Sequence, residues 1–133
     1  MQQTRRNLIL RKDDYEIIQS YLRSAYVKHT FDRKNAEELE LELKKAKLVS
    51  AEKFPADAVG LNSRVKIREE TNEKVMEFIV VTPDKADIRE RKVSVMAPIG
   101  AALIGFRQGQ KVKWQVPSGK KTFTIMEVTN HHE

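Results

Sequence analysis

The side chains that could carry chemistry are few, and they gather at two places. His29 and Asp32 stand three residues apart in the stretch KHTFDRKNAEE, and His131 with His132 stands at the other end of the sequence. Imidazole nitrogens and carboxylate oxygens are metal ligands, but a site drawing on both groups would join a turn to a chain end, where backbone is poorly held. No metal is expected. Cysteine is absent, which removes disulfides and thiolate metal sites and suits a reducing compartment. No GxGxxG, P-loop or nucleophile elbow occurs, so no catalytic residue and no cofactor is expected. Asp32 and Asn35 have a plainer role open to them, as helix N-caps whose side-chain oxygens accept unpaired amide hydrogens. Trp114, Phe123, Phe78 and Phe106 could stack bases, but in a sheet-forming segment such residues belong to the core.

Two helices must position the Asp32 turn. From Asp13 to about Lys28, Tyr15, Ile18, Leu22 and Ala25 recur at steps of three, four and three, one stripe of an α-helix, with Asp13 or Asp14 placed to cap its start. After KHTFDRKN, Ala36, Leu39, Leu43 and Ala46 repeat the spacing, and two facing stripes make a hairpin. The run ELELELK (38–44) alternates with period two and could be a strand. Glu, Leu, Lys and Ala all propagate helices, and no residue from Ala36 to Leu48 is β-branched, so helix is preferred. Each arm would be about 20 Å long at roughly 1.5 Å per residue. Such a hairpin is marginal alone and leans on the rest of the chain.

The segment VSAEKFPADAVGLNS (49–63) reads as a linker with one short helical turn. Beyond it the period changes. SRVKIRE (63–69) and EKVMEFIVVTP read as strands, DKADIRERK (84–92) as a charged loop, and SVM (94–96) as a short strand. KVKWQV (111–116) and KTFTIMEV (121–128) flank the turn PSGK, with Pro117 fixing its first angle and Gly119 available for positive φ. The expected second half is a small antiparallel sheet. Its one helical insertion is APIGAALIG: Pro98 is tolerated in a first turn and Gly105 is placed to end the helix in the left-handed conformation. Gly100, Ala101 and Ala102 let the backbone approach the sheet closely, while Ile99, Leu103 and Ile104 fill the core.

The run S-x-x-A-P-I-G-x-A-L-I-G, Ser94 to Gly105, followed by FRQGQKVKWQVPSGKKTFTIMEV, resembles the C-terminal signature of the bacterial Gre transcript-cleavage factors. It is closer still to the shorter Rnk branch of that superfamily, through SVMAPIGAALIG, through LNSRVKIR (61–68) and through a length that leaves room for only a short arm. Ala97, where a serine is usual, and Gln110, where an acid is usual, depart from the Gre pattern. The resemblance implies an α+β chain, with residues 1–50 an antiparallel helical hairpin or short coiled coil and residues 51–133 an FKBP-like antiparallel β domain with one short helix. It implies that the chain binds bacterial RNA polymerase, with the domain at the rim of the secondary channel and the arm pointing in. Ser94, Pro98, Gly100, Ala102 and Gly105 then mark the docking signature, and Asp32 and Asn35 the polymerase-directed tip.

Gre factors carry a DxxE pair at that tip, understood to help hold a metal ion and orient water at the polymerase active centre. A hard cation needs oxygen ligands and its water must be aimed. Setting Asp32 on the first acid puts Asn35 on the second, which has no charge with which to hold the ion. Pairing Asp32 with Glu37 or Glu38 breaks the spacing. The chain is therefore expected to be a polymerase-binding regulator and not an enzyme. An active cleavage factor and a peptidyl-prolyl isomerase are the alternatives, the second resting on fold alone.

A net charge of +6 suits a polyanion or an acidic protein surface. It is evenly spread, because 11 basic against 8 acidic residues lie up to Ser50 and 14 against 11 follow, +3 in each part. Lys44, Lys45 and Lys47 form a basic cluster read as a solvated face. The longest apolar run near the start, Leu8 to Leu10, is too short for a signal-peptide core or a membrane span. A cytoplasmic monomer is expected, reaching nucleic acid only through polymerase.

Overall fold

The computed structural model describes residues 8–28, 33–116 and 119–130. Strand β1 (Ile9–Arg11) runs directly into helix α1 (Lys12–Lys28), and α2 (Arg33–Lys44) returns to strand β2 (Lys47–Val49). The helical reading of ELELELK holds because a four-residue step, not a two-residue one, matches burial. Leu39 and Leu43 are each 1% exposed, whereas Leu41 between them is 58% exposed. On α1, Ile18 and Leu22 are buried and Tyr15 packs against them.

Strands β1 and β2 were not anticipated. They pair in parallel, Ile9 opposite Lys47 and Arg11 opposite Val49. A parallel pair needs a crossover connection, and here the two helices supply it. The arm is thus clasped at its root. Asp13 and Asp14 lie within the first turn of α1, where the amide dipoles favour acids. Asp13 is held by the Arg11 guanidinium at 2.6 Å.

Five strands form the main sheet: β3 (Arg64–Glu69), β4 (Val75–Val81), β5 (Lys92–Ser94), β6 (Lys111–Val116) and β7 (Gly119–Thr129), in the order β5-β4-β3-β7-β6. The sheet is mixed, not antiparallel throughout as expected, because β5 runs parallel to β4. The connection 82–91 carries the chain back along the sheet through two 3-10 turns, Pro83–Lys85 and Ile88–Glu90, and so reverses the sense of pairing. Strand β5 also starts two residues earlier than expected. Arg91 is left-handed, and its carbonyl accepts from the Ile79 amide, so pairing resumes at Lys92. In β7 the register against β3 slips beside Ile67. The slip leaves Met126 exposed between inward Ile125 and Val128.

The stretch 49–63 is not a free linker. A 3-10 turn spans Ala51–Lys53, but Phe54, Ala58 and Val59 are buried, and Val59 exchanges backbone hydrogen bonds with Gly105 and Phe106 at 2.9 and 2.8 Å. Its apolar residues are what hold it down. One continuous core then joins Leu10, Ile18, Leu22, Leu39 and Leu43 to Ile67, Leu103, Phe123 and Ile125. Residue 50 marks a change of secondary structure, and buried surface passes across it.

Helix α3 (Pro98–Leu103) lies against β5 and β6. A Cβ at Gly100 would collide with the Ser94 carbonyl oxygen, and one at Gly105 with the Leu8 side chain. Gly105 also has φ +84°, as expected of a residue that ends a helix in the left-handed region.

Candidate functional site

Asp32 lies outside the described residues, so its capping role and its tip geometry do too. Asn35 sits in the first turn of α2, a turn that holds no acid. His29, His131 and His132 also lie outside the described residues. Among the described residues, no group of His, Cys, Asp and Glu is arranged to hold a metal. Between the helices runs an open furrow lined by Tyr15, Glu16, Gln19, Arg23, Glu40 and Lys44. Its mixed charge gives it no preference for one sign of ligand. Lys44, Lys45 and Lys47 are all exposed, and of these Lys44 lines the furrow.

The signature residues divide by burial. Gly100 and Gly105 are buried, Ser94 and Ala102 are half-buried, and Pro98 is exposed at the start of α3. Ser94 works on its own chain: its Oγ accepts from the Met96 amide at 2.9 Å and its carbonyl accepts from the Ala97 amide at 3.0 Å. Ala97 occupies the N-cap with extended φ and ψ and offers no side-chain acceptor there. A serine would supply one. Four of the five signature residues therefore shape the turn and its packing, and Pro98 is the one presented outward. Phe106 and Phe123 are buried and Phe78 packs on the core, so these three rings are not a stacking platform, while the Trp114 side chain lies outside what is described.

Sequence reasoning missed the junction between arm and sheet. Ile9 donates its amide to the Gly105 carbonyl at 3.3 Å, and Leu8 fills the space that Gly105 leaves open. Asp14 is buried, and its Oδ2 accepts from the Leu61 amide at 3.1 Å. Burial pushes its carboxyl up to about 6; the Leu61 hydrogen bond and Arg11 oppose the shift, while the charge of Asp13 adds to it. Two turns further along α1 the Tyr21 hydroxyl donates to Asp84 at 2.6 Å, tying the arm to the 82–91 connection. Asn130 at the end of β7 donates to the Ala56 and Ala58 carbonyls, both at 2.9 Å, and bonds Ser63. The signal available for this junction was two adjacent aspartates and a pair of short apolar runs, which also fits an ordinary helix start.

The family described as Transcription elongation factor, GreA/GreB, C-term, matches residues 54–130. The regulator of nucleoside diphosphate kinase of Escherichia coli strain K12 is 41% identical over 87 residues, 65% of this chain and 64% of that protein. Transcription elongation factor GreA of Prosthecochloris aestuarii is 34% identical over 93 residues, 68% of this chain and 58% of that protein. The chain thus spans less than two thirds of the length of these relatives. The solved structure of a GreA/GreB elongation factor from Nitrosomonas europaea superposes with a TM-score of 0.75 at 30% identity, covering 93% of this chain and 98% of that one. No helix among the described residues is long and apolar enough to cross a membrane.

Proposed function

We propose that this chain, which belongs to the GreA/GreB transcription elongation factor family, is an RNA polymerase-binding transcription regulator of the Rnk type. Residues 51–133 act as an FKBP-like anchor at the rim of the secondary channel. Residues 1–50 act as a short coiled-coil arm directed into it. The observation that carries this reading is that the structural correspondence runs through the arm as well as the sheet, over 93% of the chain. The 41% identity to the nucleoside diphosphate kinase regulator supports the Rnk branch. Asn35 in place of a second acid, and a first turn of α2 without any acid, support binding without transcript cleavage. The protein works as a cytoplasmic monomer, and its contact with nucleic acid is through polymerase.

The clasp at β1 and β2 and the shared core favour an arm held at a fixed angle, so docking the sheet aims the tip. Full-length protein mixed with purified bacterial core RNA polymerase should bind at micromolar concentration and compete with Gre factors. Added to stalled elongation complexes, it should leave transcripts at their original length. Absence of binding would remove the polymerase reading, and shortened transcripts would move the chain to the active cleavage factors.

A further inference from the structure

The 82–91 connection is built more tightly than a crossover requires. Asp87 and Lys92 exchange both backbone hydrogen bonds at 2.9 Å, pinching out residues 88–91 as a closed tip. Inside it, Asp87 Oδ1 accepts from the Arg89 amide at 3.0 Å, and left-handed Arg91 donates its amide to the Ile88 carbonyl at 3.1 Å. On this fixed tip stands Ile88, 78% exposed, more than any other large apolar residue described.

A single exposed aliphatic residue is ordinary on a protein surface. The charges around this one are not arranged as an ordinary solvated loop. Each acid of the segment is engaged within the molecule: Asp84 by the Tyr21 hydroxyl, Asp87 by the Arg89 amide, Glu90 by Lys92 at 2.8 Å. Lys85, Arg89 and Arg91 are exposed and have no ion pair among the described residues. The tip therefore presents an aliphatic knob beside two uncommitted arginines, with Lys85 next to Asp84, on a loop fixed both to the sheet and, through Tyr21, to the arm. An apolar anchor flanked by arginine is the composition of a protein-binding hot spot. A single-stranded nucleic-acid surface would use a π face or hydrogen-bonding groups at that position, and isoleucine has neither.

We propose that the 82–91 loop is a docking element, in which Ile88 seats in an apolar notch of an acidic protein surface and Lys85, Arg89 and Arg91 face the surrounding carboxylates. The inference rests on the reading above that polymerase is the partner, and it places the acidic, notched surface on polymerase.

Equilibrium binding of the full-length protein to purified bacterial core RNA polymerase tests it, with Ile88→Ser, the double reversal Arg89→Glu/Arg91→Glu, and Val75→Ser as an exposed apolar control on β4. Ile88→Ser should weaken binding by about tenfold or more, the double reversal by at least as much, and Val75→Ser should bind as wild type. Attraction to an acidic surface also requires that wild-type affinity fall with salt and that the double reversal flatten that dependence. If the wild type binds while Ile88→Ser and the reversal bind equally well, the loop inference fails and the polymerase reading stands. If the wild type does not bind, both fall. A single-stranded RNA oligonucleotide is the parallel probe: RNA binding lost in the reversal, with Ile88→Ser neutral toward both partners, would make the loop a nucleic-acid contact and overturn the proposal.

Discussion

Helices α1 and α2 meet the rest of the molecule through side chains, with Ile18, Leu22, Leu39 and Leu43 entering a common core. Helix α3 and the turn after it also send Ile99, Leu103 and Ile104 into that core, but they add close approaches of bare backbone, Gly100 against the Ser94 carbonyl and Gly105 beneath Leu8. The two kinds of contact fail differently. A side-chain interface loses stability in proportion to the atoms removed and accepts volume-conserving exchanges. A backbone interface accepts removal of nothing and addition of nothing. Residues that look most like a functional signature can thus be the ones with the least freedom to touch a partner.

Gly105→Ala should cost about 4 kcal/mol, adding overpacking against Leu8 to the strain of a left-handed residue bearing a Cβ. Urea titration followed by circular dichroism measures it. A cost below about 1 kcal/mol would mean that the closure beneath Leu8 is loose. Leu43→Ala should cost about 3 kcal/mol by leaving a cavity. Leu41→Ala, two residues earlier on the opposite face, should stay within about 0.5 kcal/mol, and equal effects at the two leucines would break the side-chain half of the comparison.

Asp14 sharpens the junction between the two regions. Its carboxyl is raised from 3.8 to about 6, so the native state binds this proton more tightly than the unfolded chain does. The contribution favours folding most below pH 4, declines as pH rises from about 4 to 6, and is constant above that. Asp14→Asn keeps an acceptor for the Leu61 amide and removes the titration. Relative to wild type, the variant should therefore gain about 2–3 kcal/mol between pH 4 and pH 7. Parallel stability curves for the two proteins would show that the carboxyl is not buried at the junction. The smallest effect belongs to Tyr21→Phe, which should leave the melting temperature nearly unchanged while loosening the 82–91 loop from α1, read as faster amide exchange at Arg89 and Arg91.

The helical arm was legible because Leu39 and Leu43 repeat at the helical step in residues that favour helix, and the turn chemistry of Pro98 and Gly105 fixed α3. The direction of β5 was not legible, since the same three residues pair either way and the 82–91 crossover decides. Strands β1 and β2, three residues each, are too short to show alternation. Asp13 and Asp14 are indistinguishable as sequence. Tertiary approach of the Leu61 amide selects Asp14 for burial, while Arg11 keeps its neighbour at the surface. Of the candidate site, the resemblance pointed to the segment that holds Pro98. The exposure of Ile88 depends on a backbone pinch at Asp87 and Lys92 that no local pattern announces.

The closure of Leu8 over Gly105 also sets an order of events at the ribosome. The chain emerges from its N-terminus, so residues 8–49 leave the exit tunnel with both helices available but the receiving surface for Leu8 still unmade. Until residue 105 has been translated and α3 has turned back on Ser94, the first strand has only β2 beside it, and the Leu8 side chain of the nascent arm must wait, uncovered, for the far half of its own polypeptide.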